Sequence, residues 1–293
     1  MLRALLELSR VSNLPTVWTN VLAAWIIASG PDWRWTPALG WLLLGASLIY
    51  SAGMILNDAC DAAWDRDHRP ERPIPGGRIG LITVWAIGLI WLLGGAAIMI
   101  LLGGASWLIT LLLLAAIVAY DVYHKPWAGS VIVMGACRTL LYLAAGSAVM
   151  HPSFKMDRLV PVGAYGIILG LYIIALTRTA RAEATGNVEG WNRWGLTVLL
   201  FLPIVPVFLR LHELPSPEGQ SLFILPMFVG PVSYALAKMK QGGKAITEAV
   251  GWMLATIPAV DAMAIAPSSL KTAIFFSILP PLLRLWQRWI AAT

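Results

Sequence analysis

Long apolar runs separated by short polar loops make up most of the chain. A helix needs about 20 mostly apolar residues to cross a bilayer. Ten stretches are candidates, near residues 14–29, 36–57, 80–102, 104–120, 129–150, 159–178, 193–211, 221–238, 245–265 and 270–289. The first and fourth are short. Those at 193–211 and 245–265 carry internal proline, which spanning helices tolerate where neighbours satisfy the freed backbone groups. Ten is an upper count, because one late segment has the alternative of lying in the interface. The first thirteen residues lack the layout of a cleavable signal. They read as a short interfacial helix leading into the first span.

Composition agrees. Of 293 residues, 58% are hydrophobic and 12% charged, against about 25% charged in a soluble domain. Mean hydropathy is +0.74. These values exclude a soluble domain, a disordered chain, a collagen and a disulfide scaffold. The net charge of +6 does not make a nucleic-acid binder, since the basic residues sit between apolar runs rather than in one patch. The 15 Trp suit interfacial anchors. Cys60 and Cys137 show no metal spacing and give little reason to expect a disulfide. With ten spans both termini share a side, and most of the 21 Lys and Arg share it with them. Positive loops are cytoplasmic. The reading is therefore a single all-α domain over residues 1–293, multi-pass in the cytoplasmic (inner) membrane, with both termini cytoplasmic.

The scarce charges cluster. Four of the eight Asp (Asp58, Asp61, Asp65 and Asp67) fall within ten residues. Spacings of three and four place Asn57, Asp58, Asp61 and Asp65 on one helix face, within about 100° of arc. Asp67 points away. Carboxylates so close repel one another, so a cation should sit among them. Oxygen donors without His or Cys suit Mg²⁺, which pairs one or two carboxylates with a phosphorylated ligand. Arg69 and Arg72 follow, and guanidinium grips phosphate in bidentate fashion. Pro70, Pro73 and Pro75 stop the helix and stiffen the turn. A solvated loop with internal ion pairs is the plainer alternative.

The run Asn57-Asp58-x-x-Asp61-x-x-x-Asp65, continuing through Arg69-Pro70-x-Arg72-Pro73-Ile74-Pro75-x-Gly77-Arg78, resembles the first aspartate-rich motif of the UbiA superfamily of intramembrane prenyltransferases. Residues 57–78 match nearly position for position. The motif follows the second span, as in that family, and Arg10 and Asn13 resemble its pattern ahead of the first. The resemblance implies a bundle of about nine transmembrane helices around a central cavity with a cytoplasmic-side cap. It implies an isoprenyl diphosphate bound through Mg²⁺ and a lipid-soluble or small-molecule acceptor among membrane lipids. Metal and Arg would offset charge on the leaving diphosphate, and an apolar cavity would keep water from the carbocation.

The same resemblance places a basic element after the fourth span, here Tyr120-Asp121-Val122-Tyr123-His124-Lys125. The family often has Tyr where Asp121 stands. Lys125 is the candidate diphosphate contact, with a positive-inside anchor as its alternative. His124 reads as a loop residue, while Tyr120 and Tyr123 line the cavity or sit at the interface. Arg138 lies within the fifth segment, where a charge is costly unless paired or hydrated. It pairs with an internal carboxylate or reaches a phosphate, and Asp261 raises the same question. The family's second acidic motif, which holds a second Mg²⁺, lacks Asp here. The sequence instead reads Arg178-Thr179-Ala180-Arg181-Ala182-Glu183. Glu183 keeps one acidic metal position, with Thr179 where its partner would stand. Two readings stay open. Arg178 and Arg181 replace the second metal and hold phosphate, or the chain is a lipid-phosphate carrier or pseudo-enzyme on the same bundle. The altered motif resembles the bacterial EboC-like subgroup. Signatures of CDP-alcohol phosphotransferases are absent. The acids sit at a helix end rather than paired at the bilayer midplane, which argues against a transporter.

Overall fold

The computed structural model describes residues 1–125, 127–150, 156–182, 193–209, 222 and 224–289, and among these there is helix and no strand. In chain order the helices are α1 (Leu2–Leu8), α2 (Leu14–Ser29), α3 (Pro37–Cys60), α4 (Ala62–His68), α5 (Leu81–Ala97), α6 (Trp107–Tyr123) and α7 (Ser130–Ala148). They continue with α8 (Met156–Arg181), α9 (Arg193–Phe201), α10 (Val205–Leu209), α11 (Leu225–Gln241), α12 (Ala245–Ile265), α13 (Leu270–Ser277) and α14 (Leu279–Trp286). Local chemistry sets several ends. Thr36 caps α3 by accepting from the Leu39 N–H at 3.4 Å, and Pro37 opens its first turn. Gly30 ends α2 at φ 79°, a conformation glycine adopts without strain.

Six helical runs are long and apolar enough to cross a membrane: Val11–Ser29, Pro37–Cys60, Leu81–Leu102, Ser130–Ala148, Met156–Arg181 and Ala245–Ile265. Trp107–Tyr123 and Trp194–Leu209 are shorter apolar helices. This is a multi-pass membrane protein. Two segments expected as single spans are broken. At 193–211 a tight turn over Leu202–Ile204, carrying Pro203, separates α9 from α10. At 270–289 the chain divides at Ile278, just before Pro280 and Pro281, into α13 and α14. Proline removes the N–H that would continue each ladder.

Helix α12 is the centre of the bundle, buried along nearly its whole length and packed on α2, α8, α11, α13 and α14. Charged groups at membrane depth are joined across it. The Asp261 carboxylate accepts from Tyr142 Oη and, at 2.8 Å, from Asn20 Nδ2. The Asn20 carbonyl accepts from Arg138 at 2.7 Å. One network thus links α2, α7 and α12, and burying its members is tolerated because each is hydrogen-bonded. Cys60 and Cys137 are free thiols.

Helices α3 and α5 approach through glycine. A Cβ on Gly45 would lie 2.5 Å from Met99 Cγ and 2.7 Å from the Gly95 carbonyl oxygen. A Cβ on Gly95 would meet the Gly45 carbonyl at 2.8 Å. Small residues let membrane helices pack backbone to backbone. We expect Gly95→Leu to destabilise the protein by roughly 1–3 kcal/mol through overpacking. Thermal melts in detergent check this, and an unchanged melting temperature would contradict the packing.

Candidate functional site

The acidic stripe forms where α3 runs into α4. The helical spacing persists through the junction, because Asp61 N–H bonds to the Asn57 carbonyl and Asp65 N–H to that of Asp61. Asp61 is the junction residue of the two helices and makes no side-chain cap, and Asn57, Asp58, Asp61 and Asp65 are all buried, whereas Asp67 is exposed. Buried carboxylates need partners. Arg72 Nη1 bridges Asp58 at 3.1 Å and Asp65 at 2.9 Å. Lys125 Nζ lies 2.7 Å from Asp61 Oδ1 and His124 Nε2 3.3 Å from Asp61 Oδ2. Lys125 also stands over the Trp64 ring at 4.1 Å, with Arg69 5.9 Å from that ring. The proline-rich turn is held back on α1 by Arg78, which pairs with Glu7 at 2.6 Å.

Two residues outside the expected ligand set complete the cluster. Arg10 approaches Asp58 at 3.5 Å. Its backbone is left-handed at φ 45°, and among the described residues no other non-glycine has a positive φ. Such strain costs about 1–3 kcal/mol and gathers at functional sites. Burial opposes the Arg10 charge, but Asp58, Tyr50, Tyr120 and Asp61 outweigh it and raise the pKa. Asp121, buried on α6, accepts from Asn57 Nδ2 at 3.3 Å. An acid ending an apolar run was the available signal for Asp121, and the family resemblance drew attention to the missing Tyr instead.

Three neighbouring spaces share lining residues. A mouth of about 220 Å³ is lined by Glu7, Arg10, Asp58, Glu71, Arg72, Pro73 and Arg78. Arg10 also lines an inner space of about 130 Å³, with Asn13, Tyr50, Tyr120, Arg138 and Thr177. Tyr50, Met54, Tyr120, Met134 and Arg138 border an apolar chamber of about 80 Å³ between α3, α6 and α7. Arg138 therefore lines the cavity while its Nη atoms are held by Asn20 and, at 3.4 Å, Thr16. Arg138 is linked to Asp261 only through Asn20.

Arg181 is engaged away from the acidic cluster. Arg178 is half-buried in the last turn of α8. The expectation that Arg181 offers its guanidinium to phosphate meets an obstacle. Its Nη atoms already donate to the carbonyls of His124, Trp127 and Ala128 and to Ser130 Oγ. Thr179 is buried and donates to the Ala175 carbonyl. Glu183 lies outside the described residues.

The donors fit a hard divalent cation. Asp65 Oδ1 and Asp121 Oδ2 are buried without a hydrogen-bond partner among the described residues. No three His, Cys, Asp or Glu among those residues form a ready cage, but Mg²⁺ commonly takes one or two carboxylates and completes its shell from phosphate and water.

Residues 14–289 match the model of the UbiA prenyltransferase family. The digeranylgeranylglyceryl phosphate synthase of Sulfurisphaera tokodaii is 27% identical over 179 residues, covering 60% of this chain and 61% of that protein. The bacteriochlorophyll synthase 33 kDa chain of Cereibacter sphaeroides is 30% identical over 102 residues, 31% of this chain and 34% of its own length. In both cases the chain spans less than two thirds of the relative. The apo structure of a UbiA homologue from Aeropyrum pernix K1 shares the fold with a TM-score of 0.62 at 14% identity, covering 87% of this chain and 96% of that one.

Asp61 carries a pH signature. Burial alone raises its carboxyl, but hydrogen bonds from His124 and Lys125 outweigh it and hold the pKa below the usual carboxylate value. A depressed folded-state pKa contributes stability that is complete above the unfolded value, about 4, and is lost as pH falls through the folded value. In chelator, acidification below about pH 4 should destabilise the wild type, and Asp61→Asn should flatten that loss. Identical acid limbs in the two melting profiles would rule the contribution out.

Proposed function

This chain belongs to the UbiA prenyltransferase family, and from that premise we propose that it transfers an isoprenyl group from a prenyl diphosphate to an acceptor. The whole chain acts as one domain in the cytoplasmic membrane, with the acidic mouth and both termini on the cytoplasmic side. The observation that carries the reading is the set of three buried carboxylates paired with Arg10, Arg72 and Lys125, of which Asp58, Arg10 and Arg72 line the polar mouth beside an apolar chamber. Asp58, Asp61 and Asp65, with the Asn57 side-chain amide oxygen, would hold Mg²⁺, which would supply positive charge opposite the leaving diphosphate. Arg10, Arg72 and Lys125 already stand at these acids and reorient onto phosphate oxygens, with Arg69 beside them.

The allylic C–O bond breaks with its electron pair leaving on the diphosphate. The acceptor then bonds to the allylic carbon and releases a proton. The chamber walls exclude water from the cation, and Tyr50 and Tyr120 present aromatic groups beside it. The relatives named above are a digeranylgeranylglyceryl phosphate synthase and a bacteriochlorophyll synthase chain, which supports a lipid-soluble or small-molecule acceptor here. With Arg181 engaged elsewhere, the site works with the first acidic motif as its main metal anchor. The carrier reading differs by one outcome, donor binding without turnover.

Purified protein given labelled geranylgeranyl diphosphate and a lipid extract of its host should form a prenylated lipid only with Mg²⁺. Asp61→Ala with Asp65→Ala should cut the rate by about 100-fold or more, the size of loss that follows removal of transition-state electrostatics. Full turnover in the folded double variant would overturn the assignment.

A further inference from the structure

The position where a second acidic motif would lie holds Arg181, and its surroundings say what it does. Its Nη1 donates to the Ala128 carbonyl at 3.0 Å and more weakly to that of Trp127, and its Nη2 to the His124 carbonyl and Ser130 Oγ. Ser130 Oγ itself donates to the carbonyls of His124 and Trp127. Arg181 and Ser130 together close the turn between α6 and α7 from the α8 side. That turn carries Lys125 and His124, both of which reach Asp61. A continuous set of polar contacts therefore runs from the end of α8, through the turn, to the centre of the acidic stripe.

The contacts to His124 and Ser130 are part-buried, and a planar guanidinium reaches several turn acceptors at once in a fixed fork that an ammonium lacks. Resting on the prenyl-transfer reading, the geometry points to Arg181 as a positioning residue. It ties the Lys125-bearing turn to α8 and so holds Lys125 and His124 against Asp61, without touching the diphosphate. The second motif of this chain has become a brace for the first.

The test compares Arg181→Gln, Arg181→Lys, Lys125→Ala and the Arg181→Gln/Lys125→Ala double variant. The probe is geranylgeranyl S-thiolodiphosphate with Mg²⁺, a donor analogue that does not ionise. A brace predicts that Arg181→Gln and Lys125→Ala each weaken binding about tenfold and that the double variant is no worse than either alone. Arg181→Lys should also weaken binding, because the charge stays but the fork is lost. Additive losses, or full binding in Arg181→Lys, would make Arg181 a direct phosphate ligand and overturn the proposal. Hydrogen exchange of His124 and Trp127 to Ser130, read without ligand, should quicken in both Arg181 variants, and unchanged exchange would overturn it as well. Failure of the wild type to bind the probe would count against the prenyl-transfer reading, whereas exchange reports on the brace alone.

Discussion

Buried negative charge at the α3–α4 junction is the constraint around which the cytoplasmic end of this bundle is organised. Asp58, Asp61 and Asp65 sit on one face and out of water, where isolated carboxylates are not tolerated. Each meets a cation from a different part of the chain: Arg10 ahead of α2, Arg72 from the proline-rich turn and Lys125 from the α6–α7 turn. One helical stripe therefore gathers three distant segments. Cations held in this way are also suited to phosphate, so under the proposed function they would exchange the carboxylates for a diphosphate when a metal takes their place.

Deeper in the membrane the same rule acts on a second set of groups. Arg138 and Asp261 share Asn20 as a bridge and draw α2, α7 and α12 together. The cavity lies between the two networks, polar at Arg10 and apolar where α3, α6 and α7 face one another. A diphosphate headgroup and a long hydrocarbon tail call for that gradient. Close glycine contacts between α3 and α5 fix one wall without using polar groups.

Local periodicity made the acidic stripe legible in sequence, because spacings of three and four survive the helix junction intact. Six of the ten candidate spans coincide with helices long and apolar enough to cross a membrane, and the interruptions at 203 and 278 lie close to prolines whose effect depends on the neighbouring helices. Residues that act through long-range contacts were harder to place. In sequence Arg10 is only a residue that matches the family pattern, and nothing local announces that its backbone turns left-handed beside Asp58. Asp121 meets Asn57 across 64 positions. Phosphate is one of the partners that the chain position of Arg181 suggests, whereas the turn carbonyls it serves lie more than fifty residues earlier. Charge alone does not say which partner a guanidinium will find.

The central claim is that the carboxylates now paired with protein cations are the place where metal and diphosphate bind. A structure determined with Mg²⁺ and geranylgeranyl S-thiolodiphosphate tests it most directly. The account requires metal against Asp58, Asp61 or Asp65, phosphate oxygens on Arg72 and Lys125, and the hydrocarbon tail between α3, α6 and α7. Phosphates bound elsewhere, with Arg72 still bridging Asp58 and Asp65, would contradict it.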